Sequence, residues 1–407
     1  MATLKPFLAL RPQTQYVAEV ASLPYDVMSV EEAKEMVKDR PYSFLQIDLP
    51  EVFLKPNEKQ DDPIKYKYAK EYLQKLIKEN ILEQDKDESY YIYQLQNAMV
   101  TQRGIVGLAS TQEYHKGIIK KHENTRADKE LDRINHVDAC NAHTGPIFLA
   151  YPKNPTLKSI IERYIVEETP VYDFTADDGV IHTVWKVTQD IGGEITQAFN
   201  KIDNLYIADG HHRAAAAAAV ATQRQTPDSQ HFLSVAFDEE ELCIMDYNRV
   251  VKDLNGLSIE TLIEKISQGF ILKAVDHIYK PDSRHSFGMY YNKQWYSVVA
   301  REHIISQDVV KSLDVSILQD YILAPILGIQ EPRTDNRIEF IGGIRGLSYL
   351  EGVADGYDGI AFAMFPTSIQ ELMAVADIDE LMPPKSTWFE PKLRSGIFIN
   401  QLEKYDS

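Results

Sequence analysis

Hydrophobic and polar positions follow two different spacings along the chain, which predicts a mixture of helices and strands. Apolar residues recur at helical spacing in residues 64–81, and the pair Ser29 and Glu32 forms a capping box that predicts the start of another helix. Short apolar runs bounded by turn residues predict buried strands. The clearest of these runs are residues 90–95, 104–108, 145–151, 181–185, 205–208 and 231–237. Because helices and strands alternate without a regular βαβ rhythm, we expect a mixed α+β fold.

Changes in this pattern divide the chain into three segments. Residues 1–115 mix helix and strand signals and form an N-terminal α/β segment. Residues 116–240 open with a charged stretch and then carry several buried strands, so we expect the central core there. Residues 241–407 add predicted helices at 258–267 and 313–323 and form a C-terminal α/β domain.

Composition narrows the classes of function. The 407 residues include 43 Lys plus Arg and 61 Asp plus Glu, which gives a formal net charge of −18. Such an acidic chain repels a phosphate backbone, so we expect no nucleic-acid partner. Cys140 and Cys243 are the two cysteines, which excludes a cysteine zinc site and a disulfide scaffold. No apolar run is long enough for a membrane span or signal peptide, and we expect a cytoplasmic protein.

The strongest local signal for chemistry is the segment LYIADGHHR, which leads into a run of alanines. The apolar strand at 205–208 runs directly into Asp209 and Gly210, and a helix follows. The first turn of a helix has unpaired N–H groups and a positive dipole end, which attract anions. Gly210 lets a phosphate approach the backbone, while His211, His212 and Arg213 offer donors. The same residues also fit a structural turn in which Asp209 caps the helix.

A second candidate is the charged stretch at residues 116–133. It holds six cations and four anions, a local positive excess in an acidic chain. Within it, Lys121, His122, Glu123 and Arg126 are candidate site residues, although His122 and Glu123 do not belong to an HExxH motif. A solvated helix face explains the same charge mixing.

Two further loops contain candidate residues. Tyr25 and Asp26 follow Pro24 near the start, and Lys385 follows the Pro383-Pro384 pair near the end. Lys392 lies a short way beyond, and we expect Lys385 and Lys392 to reach a shared cleft. Either loop also fits a rigid connection. No P-loop motif and no GxSxG motif occurs in the chain.

Four motifs in order resemble a known family. They are PYDV, HENT, ADGHHR and MPPKSTWFEPKLRSGIFI, and together they resemble the prokaryotic family 1015 of the domains of unknown function. The DGHHR core also resembles the nucleotide-binding motif of the ParB/sulfiredoxin superfamily. The Asp-Gly-His-x-Arg element of its free-serine kinases is the best match, with His212 at the variable place. The sulfiredoxin cysteine is replaced by His211, and the Gly-Glu-Arg-Arg motif of chromosome-partitioning proteins is missing.

This resemblance implies a ParB/sulfiredoxin-like nucleotide-binding core flanked by N- and C-terminal α/β segments. It implies a kinase that uses ATP or ADP, with Mg²⁺, to phosphorylate a serine-like small molecule, first of all free L-serine. The phosphate-binding residues would be Lys121, Arg126, Gly210, His211, His212 and Arg213. Asp209 would position Mg²⁺ or the acceptor hydroxyl. We expect His122 and Glu123 in the catalytic site, with Glu123 as the general base because it adjoins His122 in the cationic stretch.

Other functions stay open at this point. A nucleotide-sensing regulatory protein would share the DGHHR element without transferring a phosphoryl group. A phosphohydrolase that uses the paired histidines is less favoured, because no metal-ligand cluster accompanies them in the sequence. The expected partners are a nucleotide and a small substrate, with a homodimer as the candidate assembly.

Overall fold

The computed structural model describes residues 1–55, 58, 59 and 62–403, and the chain divides into two compact units. Unit 1 consists of Met1–Cys243 and Pro391–Ser407, and unit 2 consists of Ile244–Glu390. Within the described chain, every helix is too short or too polar to cross a membrane.

Unit 1 contains strands and helices in irregular alternation. Its strands up to Cys243 are Leu4–Lys5 (β1), Leu10–Pro12 (β2), Leu82–Gln84 (β3), Tyr91–Gln96 (β4), Thr101–Ser110 (β5), Ile119–Lys120 (β6), Ala142–His143 (β7), Ile147–Tyr151 (β8), Tyr172–Thr175 (β9), Ile181–Lys186 (β10), Leu205–Asp209 (β11) and His231–Asp238 (β12). Its helices are Val17–Val20 (α1), Val30–Val37 (α2), Leu45–Asp48 (α3), Ile64–Lys78 (α4), Thr111–His115 (α5), Ala127–Cys140 (α6), Pro155–Glu167 (α7), Gln189–Phe199 (α8) and His211–Arg224 (α9). This architecture confirms the mixed α+β class.

A large mixed sheet forms the centre of unit 1. Its strands follow the order β6-β11-β8-β12-β5-β4-β10-β9, and β1 also pairs with β5. The pairs β6–β11 and β8–β12 are parallel, and the other neighbours are antiparallel. Strands from residues 1–115 and 116–240 therefore share one sheet. The compact units divide the chain differently from the three predicted segments, because hydrogen bonding between β5 and β12 joins the first two.

Helices cover this sheet with their apolar faces. Buried residues of α7 and α8, such as Ile161 and Phe199, pack in one cluster with strand residues such as Leu149 and Ile207. Ala214 of α9 belongs to the same cluster. The alanine run gives α9 no bulky side chain, which allows close packing against its neighbours.

Unit 2 has a sheet of its own. Its strands are Ile244–Met245 (β13), Tyr247–Val251 (β14), Phe270–Val275 (β15), Ser286–Tyr291 (β16), Gln294–Ala300 (β17), Ile338–Gly342 (β18), Ile360–Met364 (β19) and Trp388–Phe389 (β20). Its α-helices are Ile259–Ile266 (α10), Asp314–Leu318 (α11), Leu347–Tyr357 (α12) and Ile369–Asp377 (α13). The antiparallel sheet has the order β15-β17-β16-β19-β14-β18. The predicted helix at 313–323 is α11 followed by a π-helical turn, Gln319–Leu323.

After unit 2 the chain returns to unit 1. Asn400–Gln401 (β21) pairs antiparallel with β7, and Ile399 forms a bridge with Leu10. Ser395 forms a second bridge with Ser22. These pairings place the end of the C-terminal motif within unit 1.

Candidate functional site

The DGHHR segment forms the junction of β11 and α9, as its sequence predicts. Gly210 is the N-cap of α9 and has a φ of 93°. A Cβ at Gly210 would lie 3.6 Å from Ile147 Cα, so space alone does not require glycine. The left-handed backbone does, because side chains with a Cβ rarely adopt it. Since Gly210 is the cap and no side chain caps α9, Asp209 does not act as the helix cap.

Asp209 is held as a carboxylate by two partners. Its Oδ1 accepts a hydrogen bond from the Gly210 amide at 2.8 Å, and its Oδ2 accepts one from Lys392 Nζ at 2.9 Å. Burial opposes the ionisation of Asp209, but the neighbouring Lys392 ammonium lowers its pKa to about 2. The structure thus brings Lys392, from the C-terminal motif, to the DGHHR turn. Each oxygen of Asp209 accepts one hydrogen bond and keeps a further lone pair.

The HENT segment lies beside the same turn because of the sheet register. β6 pairs parallel with β11, with Ile119 opposite Leu205 and Lys120 opposite Tyr206. The two strands therefore run in the same direction, and β6 leads into HENT at the sheet end where β11 leads into DGHHR. The backbone amide of Arg126 donates to His212 Nε2 at 3.0 Å, which links the end of the HENT loop to the first turn of α9.

Two buried histidines meet at this junction. The rings of His122 and His211 are perpendicular, with their centroids 4.5 Å apart. His122 also hydrogen-bonds to the Ile207 backbone. Burial lowers the pKa of His122 to about 4, and burial together with His122 lowers the pKa of His211 well below its ordinary value. Both rings are therefore neutral at pH 7.

Glu123 completes a group that has the composition of a metal site. His122, Glu123 and His211 each offer a ligand atom, and these atoms lie within 4.8 Å of one another. Sequence analysis found no metal-ligand cluster around the paired histidines, but the structure forms one. Residues 122 and 211 are far apart in the chain, and the β6–β11 pairing brings them together.

Arg213 points into a buried ionic network. Its Nη2 donates to Asp48 Oδ2 at 3.1 Å, and its Nη1 donates to the Pro146 carbonyl at 3.4 Å. Asp48 also accepts hydrogen bonds from Thr144 Oγ1 at 2.9 Å and Ser395 Oγ at 2.6 Å. Burial opposes the ionisation of Asp48, but the surrounding arginines lower its pKa. Sequence analysis did not select Asp48, although an aspartate between Ile47 and Leu49 in a mostly apolar segment indicates a buried charge that needs a partner.

The PYDV motif reaches the same network through its tyrosine. Tyr25 is buried, with the Arg133 guanidinium carbon 4.0 Å and the Arg213 guanidinium carbon 5.3 Å from its ring centroid. Asp26 is exposed. Tyr25 thus packs against the guanidinium group that anchors the first turn of α9.

The remaining candidates lie at the edge of the site or outside unit 1. Lys121 is exposed, with its Nζ 5.5 Å from the Tyr114 ring centroid, and exposed Arg126 bonds Asp128 at 3.1 and 2.8 Å. Lys385 belongs to unit 2, where its carbonyl accepts a hydrogen bond from Arg249 Nη2 at 3.0 Å.

These features define a class: a two-unit α+β protein whose first unit gathers histidines and carboxylates at the amino end of a helix. The chain belongs to the family described as Protein of unknown function (DUF1015), whose model matches residues 4–316. This match confirms the family indicated by the motifs. Among curated proteins, none matches the chain.

The chain is also similar to several solved structures. SbnI with C-terminal truncation from Staphylococcus aureus has 11% identity and a TM-score of 0.41, and the match covers 74% of this chain and 90% of that chain. A free serine kinase in complex with AMP has 13% identity and a TM-score of 0.36, with 72% and 91% covered. A conserved hypothetical protein from Pyrococcus furiosus has 13% identity and a TM-score of 0.36, with 73% and 95% covered.

Proposed function

We propose that unit 1 binds a nucleotide through its phosphates at the amino end of α9 and transfers a phosphoryl group to a small hydroxyl compound. The observation that carries this proposal is the convergence of HENT and DGHHR at one helix terminus. α9 spans 14 residues, and its amino end attracts anions through its N–H groups and dipole. In phosphoryl transfer the protein mostly positions groups and stabilises charge, which is what such a junction can do.

The residues around the helix end have distinct proposed roles. His211 and His212 present backbone amides to the phosphates, and Gly210, which has no side chain, lets the phosphates approach the backbone. Exposed Lys121 and Arg126 add positive charge. Asp209 and Lys392 form a neutralised pair, so the carboxylate does not repel the nucleotide. Mg²⁺ would accompany ATP or ADP through phosphate oxygens, and a remaining lone pair of the Asp209 carboxylate would add a ligand.

Arg213 supports this site through its contacts with the protein. Its bonds to Asp48 and Pro146 hold the first turn of α9 to the end of α3 and to the residue before β8. Direct contact with a phosphate would require Arg213 to leave Asp48. We therefore propose Arg213 as a positioning residue, with Tyr25 packed beneath its guanidinium.

The proposed acceptor is free L-serine, on the strength of the Asp-Gly-His-x-Arg resemblance. The serine hydroxyl oxygen attacks the terminal phosphorus, and the bond from that phosphorus to the leaving phosphate oxygen breaks. Glu123 takes the hydroxyl proton. The products are O-phosphoserine and the nucleotide shortened by one phosphate.

A direct assay tests the reaction. The full chain is incubated with Mg²⁺, serine and either ATP or ADP, and phosphoserine is measured by mass spectrometry. Alanine, which lacks the hydroxyl, is the matched control acceptor. Phosphoserine in the serine sample alone supports the proposal. Nucleotide consumption without it indicates hydrolysis, and binding without consumption indicates a sensor; either result contradicts the kinase.

We expect Glu123→Gln to separate binding from chemistry. Loss of a positioned base should lower turnover by about 10²–10⁴-fold, while nucleotide affinity stays within about threefold of that of the unmodified chain. Turnover and isothermal titration on the same preparation give both values. Glu162→Gln, which changes an exposed glutamate of α7, is the control. Equal turnover of Glu123→Gln and the unmodified chain would remove Glu123 from the role of base.

A phosphohydrolase is the second candidate function, and one observation favours it. The group of His122, Glu123 and His211 has the ligand types of hydrolytic metal sites. Water would then replace the hydroxyl compound as acceptor. Inorganic phosphate released at equal rates with serine and with alanine would select this function.

A further inference from the structure

We propose that His122, Glu123 and His211 bind one divalent transition-metal ion, with zinc as the preferred metal. The three ligand atoms lie within 4.8 Å of one another at the junction of the HENT loop and α9. This inference goes beyond the proposed function, since the ion would bind without nucleotide.

The first independent observation is a pair of unsatisfied buried nitrogens. Among the residues that the structure describes, His122 Nδ1 and His211 Nε2 are both buried and have no hydrogen-bond partner. His122 and His211 are only 2% and 6% exposed. A buried polar atom without a partner costs about 1–3 kcal/mol. A metal ion that accepts both lone pairs would remove this cost.

The second observation is the way in which His122 is oriented. Because Nδ1 has no partner, Nε2 makes the hydrogen bond to the Ile207 backbone. Metal-ligating histidines typically use one ring nitrogen for the metal and the other for such a bond, which fixes the tautomer and the ring. His122 is therefore held in the arrangement that presents a lone pair at Nδ1.

The donor types select the metal. Two imidazole nitrogens and one carboxylate oxygen match the three protein ligands of many zinc sites, which leave a further position for water or substrate. Magnesium prefers oxygen ligands in octahedral geometry, so it is a poor match for this group. Ligand atoms about 2.1 Å from one tetrahedral ion lie about 3.4 Å from one another, so atoms up to 4.8 Å apart approach by up to about 1.4 Å when the ion binds.

Glu123 can combine this role with its proposed catalytic one. A carboxylate that binds a metal through one oxygen keeps the second for a hydrogen bond. Glu123 is half-buried, whereas His122 and His211 are buried. A bound ion would thus have the histidines on its protein side and Glu123 on its solvent side.

Metal titration of the full chain tests the site without nucleotide. The chain is treated with a chelator and titrated with Co²⁺, followed by visible absorption, and Zn²⁺ is then added in competition. We expect saturation at about one Co²⁺ per chain, displacement by Zn²⁺ and no displacement by Mg²⁺. His122→Gln, His211→Gln and Glu123→Gln are compared with His277→Gln, which changes an exposed histidine of unit 2.

The three site variants should weaken Zn²⁺ binding by more than about 100-fold. Substitution of a residue that only hydrogen-bonds to a metal ligand already lowers metal affinity by about 10–100-fold, and these variants remove a ligand itself. His277→Gln should bind like the unmodified chain. If a histidine variant fails to fold, judged by circular dichroism, the half-buried Glu123→Gln decides. Unchanged binding in Glu123→Gln, displacement by Mg²⁺, or no Co²⁺ or Zn²⁺ binding by the unmodified chain would each overturn the assignment.

This result is separable from the proposed function. Metal binding without phosphoserine formation would leave the site standing and reject the kinase. Phosphoserine formation by a chain that binds neither Co²⁺ nor Zn²⁺ would do the reverse.

Discussion

Charged side chains near DGHHR are held by partners that are distant in the sequence. Lys392 pairs with Asp209, and Asp48 pairs with Arg213. Sequence reasoning selected Asp209 and Arg213 as site residues and predicted that Asp209 contacts Mg²⁺ or the acceptor hydroxyl and that Arg213 contacts a phosphate. In the structure each has a protein partner, because a buried charge is stable only when an opposite charge or hydrogen bonds compensate it.

We expect Arg213→Ala to destabilise unit 1 strongly. The substitution leaves Asp48, which is 1% exposed, without its guanidinium, and breaking a buried pair in this way costs about 3–5 kcal/mol. The double variant Arg213→Ala with Asp48→Asn should be more stable than Arg213→Ala alone, because it removes the uncompensated charge. Urea unfolding measures both variants.

The control for this pair is Arg126→Ala. Arg126 forms an exposed ion pair with Asp128, and such pairs contribute about 0–1 kcal/mol. If Arg213→Ala were as mild as Arg126→Ala, the buried pair would not anchor α9.

Gly210 and Gly193 should respond to alanine with opposite signs. Gly210→Ala forces a side chain into a φ of 93°, which costs about 1–2 kcal/mol or more. Gly193 lies inside α8, and among the described residues a Cβ there meets no atom within 4 Å. Gly193→Ala should therefore raise the free energy of unfolding by about 0.5–1 kcal/mol. Thermal unfolding of the two variants gives the sign of each change. A stabilised Gly210→Ala would contradict the left-handed turn.

At the scale of elements, strong apolar runs were predictable and short pairings were not. The strand at 205–208 and the helix after it were predicted, and the structure extends that helix to His211–Arg224. β6 has only two residues, Ile119–Lys120, and its parallel pairing with β11 carries no sequence signal. That pairing is what brings HENT to DGHHR. The sequence therefore identified His122 and His211 as candidates without showing that they touch.

Other elements were missed for local reasons. α8 contains Gly192 and Gly193, which sequence rules associate with turns, yet burial of Ile195 and Phe199 against the sheet favours a helix. The charged stretch at 116–133 proved to be two elements and a loop, since α6 begins at Ala127. Residues 122–126 form the loop before this helix, and His122 and Glu123 of that loop lie beside His211.

We expect the stability of unit 2 to depend on pH through Asp314, the first residue of α11. Burial raises the pKa of Asp314 to about 7, Glu371 adds to this effect, and the His285 amide and Arg284 oppose it. A carboxyl whose pKa is raised on folding keeps its proton in the folded chain over a pH range in which the unfolded chain has lost it. The free energy of unfolding therefore falls as pH rises from about 4 to 7 and then levels off. We expect this loss to reach about 2–3 kcal/mol between pH 5 and 8.

Asp314→Asn should remove this dependence while keeping an oxygen for the His285 amide, whose bond to Asp314 Oδ1 is 2.8 Å. Urea unfolding from pH 5 to 8, followed by tryptophan fluorescence, compares the variant with the unmodified chain. Asp320→Asn, which changes an exposed aspartate shortly after α11, is the control. Parallel stability curves for Asp314→Asn and the unmodified chain would show that Asp314 does not titrate in this range.

At the scale of the whole molecule, unit 1 is discontinuous in sequence. The chain leaves it after Cys243 and returns at Pro391. Sequence reasoning placed all of residues 241–407 in one C-terminal domain, because a return of this kind leaves no compositional break. The returning segment nevertheless supplies Lys392 and Ser395 to the networks around α9.

Phe398→Ala should show how firmly this returning segment is docked. Phe398 is completely buried, and its ring centroid lies 5.0 Å from that of Tyr91 and 5.9 Å from that of Tyr93. Truncation of a buried phenylalanine costs about 3–5 kcal/mol, because contacts are lost and a cavity remains. Val166→Ala, at a side chain that is 84% exposed, should change stability by less than about 0.5 kcal/mol. Urea unfolding compares the two. Equal effects would mean that the segment contributes little to the stability of unit 1, and the contact between Lys392 and Asp209 would then lose its structural support.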